Sequence, residues 1–118
     1  MSQRVEQRIN ELHTQLRITA AEQPQWDQFA AVMRDNARDM DGLLEQRGQQ
    51  FASMNALQDM QSYEQLAEKH AEHLQKLTAA FETLYNQLPA NQKQMADQVF
   101  RAQAQQREQH AMQSGHSR

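Results

Sequence analysis

Three histidines are the residues best suited to chemistry in this chain. His70 and His73 stand at i and i+3 with Glu72 between them. On a helix they share a face and could ligate one cation. Sites with two ligands are rare, however, and His70 falls inside an apolar heptad series. Its plainer reading is a hydrogen-bonded core or interface histidine. His13 follows Leu12 and reads as a boundary position beside an apolar stripe. His110 and His116 lie in a polar C-terminal stretch and read as solvent-exposed.

Met33, Met40, Met54, Met60 and Met95 are adaptable apolar side chains of the kind that promiscuous binding faces use. Any one of them is ordinary core filling, but several exposed together would mark a binding surface. Catalysis finds no support. There is no Ser/His/Asp arrangement, no Gly-rich phosphate loop and no pair of acids in a plausible cleft. The expectation is a non-enzyme without a cofactor, whose many Asp and Glu residues solvate helix faces.

The element that must position any site is the stretch Met60–Leu88. One heptad series is Met60, Ala67, Leu74, Phe81 and Leu88, and the other is Tyr63, His70, Leu77 and Leu84. Alternating steps of three and four keep these on one helical stripe. Leu66, Ala71, Ala80 and Tyr85 widen it, which suits a helix packed in a bundle or hairpin. At ~1.5 Å per residue this helix spans about 43 Å, so an elongated molecule is expected.

Composition points the same way. Gln (22) and Ala (16) are abundant, Gly (3) and Pro (2) are scarce, and β-branched residues are few. The expectation is all-α and a single domain over 1–118. With 38% apolar residues and a mean hydropathy of −0.99, the core is small. A net charge of −3 argues against nucleic-acid affinity, and no stretch approaches a membrane span. Cysteine is absent, which excludes disulfides and thiol catalysis. Met1-Ser2-Gln3-Arg4 opens straight into helical pattern. The reading is a cytoplasmic chain or one whose export signal has been removed.

Along the chain, Val5, Ile9, Leu12 and Leu16 mark a first amphipathic helix of about four turns. Thr19 and Glu22 have capping-box spacing, and Pro24 just beyond predicts a bent or restarted turn. Trp26, Phe29, Met33, Met40 and Leu43 carry a second helix to about Gln46, with Gly48 ending it. Gln49–Leu57 reads as a turn with an early start to the long helix, making helices two and three an antiparallel hairpin. Pro89 begins a fourth helix with Met95, Ala96, Val99 and Phe100 on its apolar face. Residues 103–118 read as a frayed tail. A faint repeat at an offset of 70 aligns Ile18-Thr19-Ala20-Ala21-Glu22 with Leu88-Pro89-Ala90-Asn91-Gln92.

Those paired helix-start motifs resemble the double LTxxQ signature of the Spy/CpxP family of periplasmic stress proteins, over roughly residues 10–101. Ile18, Thr19 and Glu22 match the first copy; Leu88, Pro89 and Gln92 match the second. Pro24-x-Trp26-x-x-Phe29 and Tyr85-x-x-Leu88-Pro89-x-x-Gln92-Lys93-x-x-Ala96-Asp97 also look like that family. Ile18 and Glu22 stand where the signature has Leu and Gln, and Pro89 stands where it has Thr. The resemblance implies a cradle-shaped antiparallel homodimer in the bacterial periplasm. It also implies an ATP-independent chaperone that holds unfolding clients on its concave face.

Chaperone members tend to have a basic concave surface, whereas this chain is net acidic. Candidate residues for the client-binding or dimer face are Trp26, Phe29, Met33 and Met40 on the second helix, with Leu74, Leu77, Phe81 and Leu84 on the third. Phe81 or a neighbour is expected in or beside a subunit contact. The second reading is a regulator of envelope-stress or metal-resistance signalling that responds to Zn²⁺, Ni²⁺ or Cu²⁺ through His13, His70, His73 or the C-terminal histidines, with a sensor protein as partner. Metal-sensing relatives typically combine histidines of the first and third helices with an acid from the second. Here the i+4 positions hold Arg17 and Leu74. A plain structural dimer is the third reading.

Overall fold

The structure is a computed structural model and describes residues 2–116, with side-chain surroundings described for residues 3–106. Four helices follow one another: α1 (Ser2–Gln15), α2 (Gln23–Gln50), α3 (Ala56–Gln87) and α4 (Ala90–His116). Short 3-10 turns at Ala20–Glu22 and Phe51–Ser53 join α1 to α2 and α2 to α3. No strand occurs among the described residues, as the composition predicts. α2 and α3 form the expected antiparallel hairpin. α1 packs on α2 and α4 returns to α1, both at the end where α2 begins and α3 finishes. That end is the base of the hairpin, and the Phe51–Ser53 turn is its tip. The molecule measures 52 × 32 × 23 Å with a radius of gyration of 17.2 Å. A compact chain of this length would have about 13–14 Å.

The core lies wholly in the base. Ile9, Leu12 and Leu16 of α1 meet Trp26, Phe29 and Ala30 of α2, Leu84 of α3, Leu88, and Ala96 of α4. An aromatic chain threads it. Trp26 stands edge-on to His13 and to Phe29, and Phe29 meets Phe81, which packs on Phe100 at 4.9 Å and Tyr85 at 5.7 Å. Such tilted pairs add stabilisation beyond the area they bury. Glu6 and Arg34 pin α1 across α2 with two hydrogen bonds of 2.6 and 3.0 Å. The Arg34 guanidinium holds the Glu6 carboxyl below its ordinary value.

Several expectations need correction. Gly48 does not end α2, which runs through Gly42 and Gly48 to Gln50. Neither glycine adopts a positive φ. An interior glycine costs a helix only about 1 kcal/mol, and Arg47 anchors this turn to Asp59 of α3 at 2.6 Å. α3 starts at Ala56 because Asn55 caps it: the Gln58 N–H donates to Asn55 Oδ1, and the Asn55 N–H donates to Gln58 Oε1. The Asn-x-x-Gln spacing is the sequence signal of this cap. α4 stays helical to His116, past residue 103 where fraying was expected. Its Ala, Gln and Arg residues are good helix formers even without an apolar face. Ser117 and Arg118 lie outside the described residues.

The apolar stripe of α3 is the largest correction. At the base it packs as expected, with Leu84 and Leu88 buried and Leu77 and Phe81 half-buried. Towards the tip, Met60, Tyr63, His70 and Leu74 are exposed, and the residues turned into the hairpin are Asp59, Ser62, Leu66 and His73. The reason is polar pairing. Asn36 Nδ2 donates to the His73 carbonyl at 2.9 Å, His73 Nε2 lies 2.6 Å from Asp39 Oδ2, and Arg47 holds Asp59. Those links turn the α2–α3 seam about a quarter-turn away from the stripe.

Candidate functional site

The two motif copies meet in space. α1 ends in a left-handed turn: Arg17 takes φ 54°, the Ile18 N–H donates to the His13 carbonyl, and the Arg17 N–H donates to the Thr14 carbonyl. This is the usual way a helix closes its last carbonyls, although the residue at the left-handed position is normally glycine. Leu16 and Arg17 keep free carbonyls, and the Gln92 side chain reaches both, with Nε2 at 3.1 and 3.0 Å. The same Nε2 lies 2.7 Å from Glu22 Oε1. That carboxylate oxygen also accepts from the Thr19 N–H at 3.0 Å, the return half of the expected capping box.

Three acceptors thus converge on the two N–H groups of one amide nitrogen, so one N–H is shared between two of them. Glu22 and Gln92 are buried, at 6% and 4% exposure. A buried carboxylate is costly unless hydrogen-bonded, and here two donors hold it. Residues 70 apart in sequence, the offset of the faint repeat, are therefore bonded to each other. Leu88 is buried in the core and Ile18 is half-buried against it, while Thr19 and Pro89 are exposed at the helix starts. Across the α3–α4 turn, the Tyr85 hydroxyl donates to Asp97 Oδ1 at 3.0 Å, and that bond raises the Tyr85 pKa.

The candidate client or dimer residues divide into two groups. Trp26, Phe29 and Leu84 are buried in the base, and Met33, Leu77 and Phe81 are half-buried against it. Met40 is half-buried along the hairpin, and Leu74 is exposed. Phe81, which with its neighbours is expected in or beside a subunit contact, is half-buried against Phe29, Tyr85 and Phe100 of its own chain. The uncovered apolar residues lie elsewhere: Leu44, Phe51, Leu57, Met60, Tyr63 and Leu74 all sit in the tip half. One side of the hairpin there is an open polar groove lined by Gln46, Gln50, Gln65, Lys69 and Glu72. By helical position, Leu44 and Phe51 of the α2 side and Tyr63 and Leu74 of α3 fall on the opposite side. This face continues the one that α1 and α4 cover at the base.

The histidines do not converge. His13 bonds Gln23 Oε1 at 3.1 Å and stands edge-on to Trp26, His73 is buried against Asp39, and His70 is exposed. The core role expected of His70 belongs to His73. Among the described residues no group of three or more His, Cys, Asp or Glu is placed to hold a metal ion. The side chains of His110 and His116 lie outside the described residues. Also among the described residues, no helix is long and apolar enough to cross a membrane.

Fold and clasp define an all-helical hairpin protein whose paired helix-start motifs lock together. The model of the LTXXQ motif family protein matches residues 4–100, so the chain belongs to the LTXXQ motif family. No curated protein and no solved structure matches the chain.

Proposed function

We propose that this protein is a Spy/CpxP-like holding chaperone of the bacterial periplasm, acting without ATP in the envelope stress response. The observation that carries this reading is the row of six large apolar residues between Leu44 and Leu74 left exposed on one half of the hairpin. Monomeric proteins seldom leave such a surface uncovered unless it binds something. The clasp and the aromatic core keep the base rigid, so the hairpin presents the face without being consumed by its own core. A client segment emerging from an unfolding protein buries its apolar side chains there and is released when it refolds. A homodimer is part of the proposal.

Light scattering of two unrelated aggregating clients tests it. Suppression at near-equimolar chaperone, lost in a Leu44→Asp, Met60→Asp, Leu74→Asp triple variant that keeps wild-type helicity, is the expected result. No suppression at several-fold molar excess overturns the reading. Sedimentation at micromolar concentration tests the pairing. A single species at 13.8 kDa would remove the dimer.

A further inference from the structure

The bare face has a charged border. Residues 35–76 carry eight acidic and four basic side chains. Three of the four bases are already engaged: Arg38 with Asp35, Arg47 with Asp59, and Lys69 with Glu72. The acids left without an ion pair among the described residues include Asp41, Glu45, Glu64 and Glu68, all exposed. Their positions follow from helical spacing. Glu64 is one turn on from Met60 and lies along the outer edge of the Met60–Leu74 row, whereas Glu68, a further turn on, lines the polar groove on the other side. Asp41 and Glu45, also i and i+4, run along the far edge of Leu44. An apolar strip is therefore flanked on both sides by unneutralised carboxylates.

We infer that this face selects client segments in which apolar residues are interspersed with Lys or Arg, over acidic segments of equal hydrophobicity. The inference rests on the holding function proposed above and names its substrate class. The apolar row supplies contact that does not depend on charge. The carboxylate rim supplies steering and charge-assisted pairing to cationic side chains, and repels anionic ones. A second copy fits the rim less well. Tip against tip would bring acid to acid. Tip against base would lay the apolar row on a surface without exposed large hydrophobic residues among those described.

The test is a fluorescence-anisotropy titration of the whole protein into two labelled, unstructured peptides of equal length and apolar content. One carries Lys and the other Glu at every charged position. The Lys peptide should bind roughly tenfold tighter at low salt. That preference should collapse at about 0.5 M NaCl, where screening is effective within a few ångströms. Combining Asp41→Lys, Glu45→Lys and Glu64→Lys, all at exposed positions, should reverse it. Leu74→Asp should weaken the binding of both peptides.

Equal affinity for the two peptides overturns the charge selection and leaves the holding function standing. Binding of neither, with aggregation still suppressed, overturns it too and puts clients elsewhere. Binding of neither without suppression is the failure of the holding function itself. A dimer that strengthens with salt and excludes both peptides overturns the inference in favour of self-association.

Discussion

The base and the tip of the same hairpin use the same two helices to opposite ends. At the base, α2 and α3 contribute Phe29, Leu84 and Phe81 to a core that α1 and α4 close from outside. At the tip the two helices have only each other, and they meet through Asn36, Asp39, Arg47, Asp59 and His73. The apolar stripe of α3 runs through both halves, buried in one and bare in the other. A heptad pattern therefore states which residues could be buried, while the number of neighbouring helices decides which of them are. Polar pairing at the tip, with Met40, Leu43 and Leu66 half-buried along the hairpin, aligns the helices and leaves Met60, Tyr63 and Leu74 uncovered.

Truncation gives the widest separation of the two halves. Leu84→Ala, at a fully buried site, should destabilise the fold by about 2–5 kcal/mol. Leu74→Ala, at 49% exposure, should cost under about 0.5 kcal/mol. Urea denaturation of both variants measures this, and equal costs would abolish the distinction between base and tip.

Next comes the clasp. Gln92→Ala leaves the Glu22 carboxylate and two α1 carbonyls short of a donor, at an expected cost of about 2–3 kcal/mol. Glu22→Gln keeps an acceptor oxygen for Gln92 and Thr19 and removes a buried charge, so stability should hold or rise. A large loss in Glu22→Gln would mean that the charge itself holds the motifs together.

A smaller effect is expected where α1 ends. Arg17→Gly relieves the left-handed backbone at that residue and should raise stability by up to about 1 kcal/mol in the same assay. A loss would mean that the Arg17 side chain matters more than its backbone.

The smallest effect is the acid sensitivity of α1. The Glu6 pKa is lowered on folding by its bonds to Arg34. The pair therefore stabilises the fold above the ordinary carboxylate range, and its contribution is lost as pH falls through the lowered value. Glu6→Gln should be slightly less stable than wild type at pH 7, and the gap should shrink below about pH 4. A gap that widens in acid would reverse the sign assigned to this pair.

Local chemistry was enough to read the all-helical class, the order of four helices and the position of both motifs. Gln and Ala abundance, the Thr19–Glu22 spacing and Pro89 act over a few residues, and their effects do not depend on what packs nearby. The Asn55–Gln58 cap is equally local, set by residues three apart. Other features had no local signal. Gly48 carries a breaker's propensity, yet a bridge from Arg47 to a residue 12 positions on holds the helix through it. His70 and His73 differ in burial because the partner helix sets the seam, which heptad counting on one helix cannot see. Gln92 is marked in the sequence only as the last residue of the second motif copy, with nothing to say what it bonds. Only the fold brings it to the end of α1, where orphan carbonyls and a buried carboxylate need its two N–H groups. Propensity is a property of neighbours in the chain, whereas burial and hydrogen-bond satisfaction depend on neighbours in space.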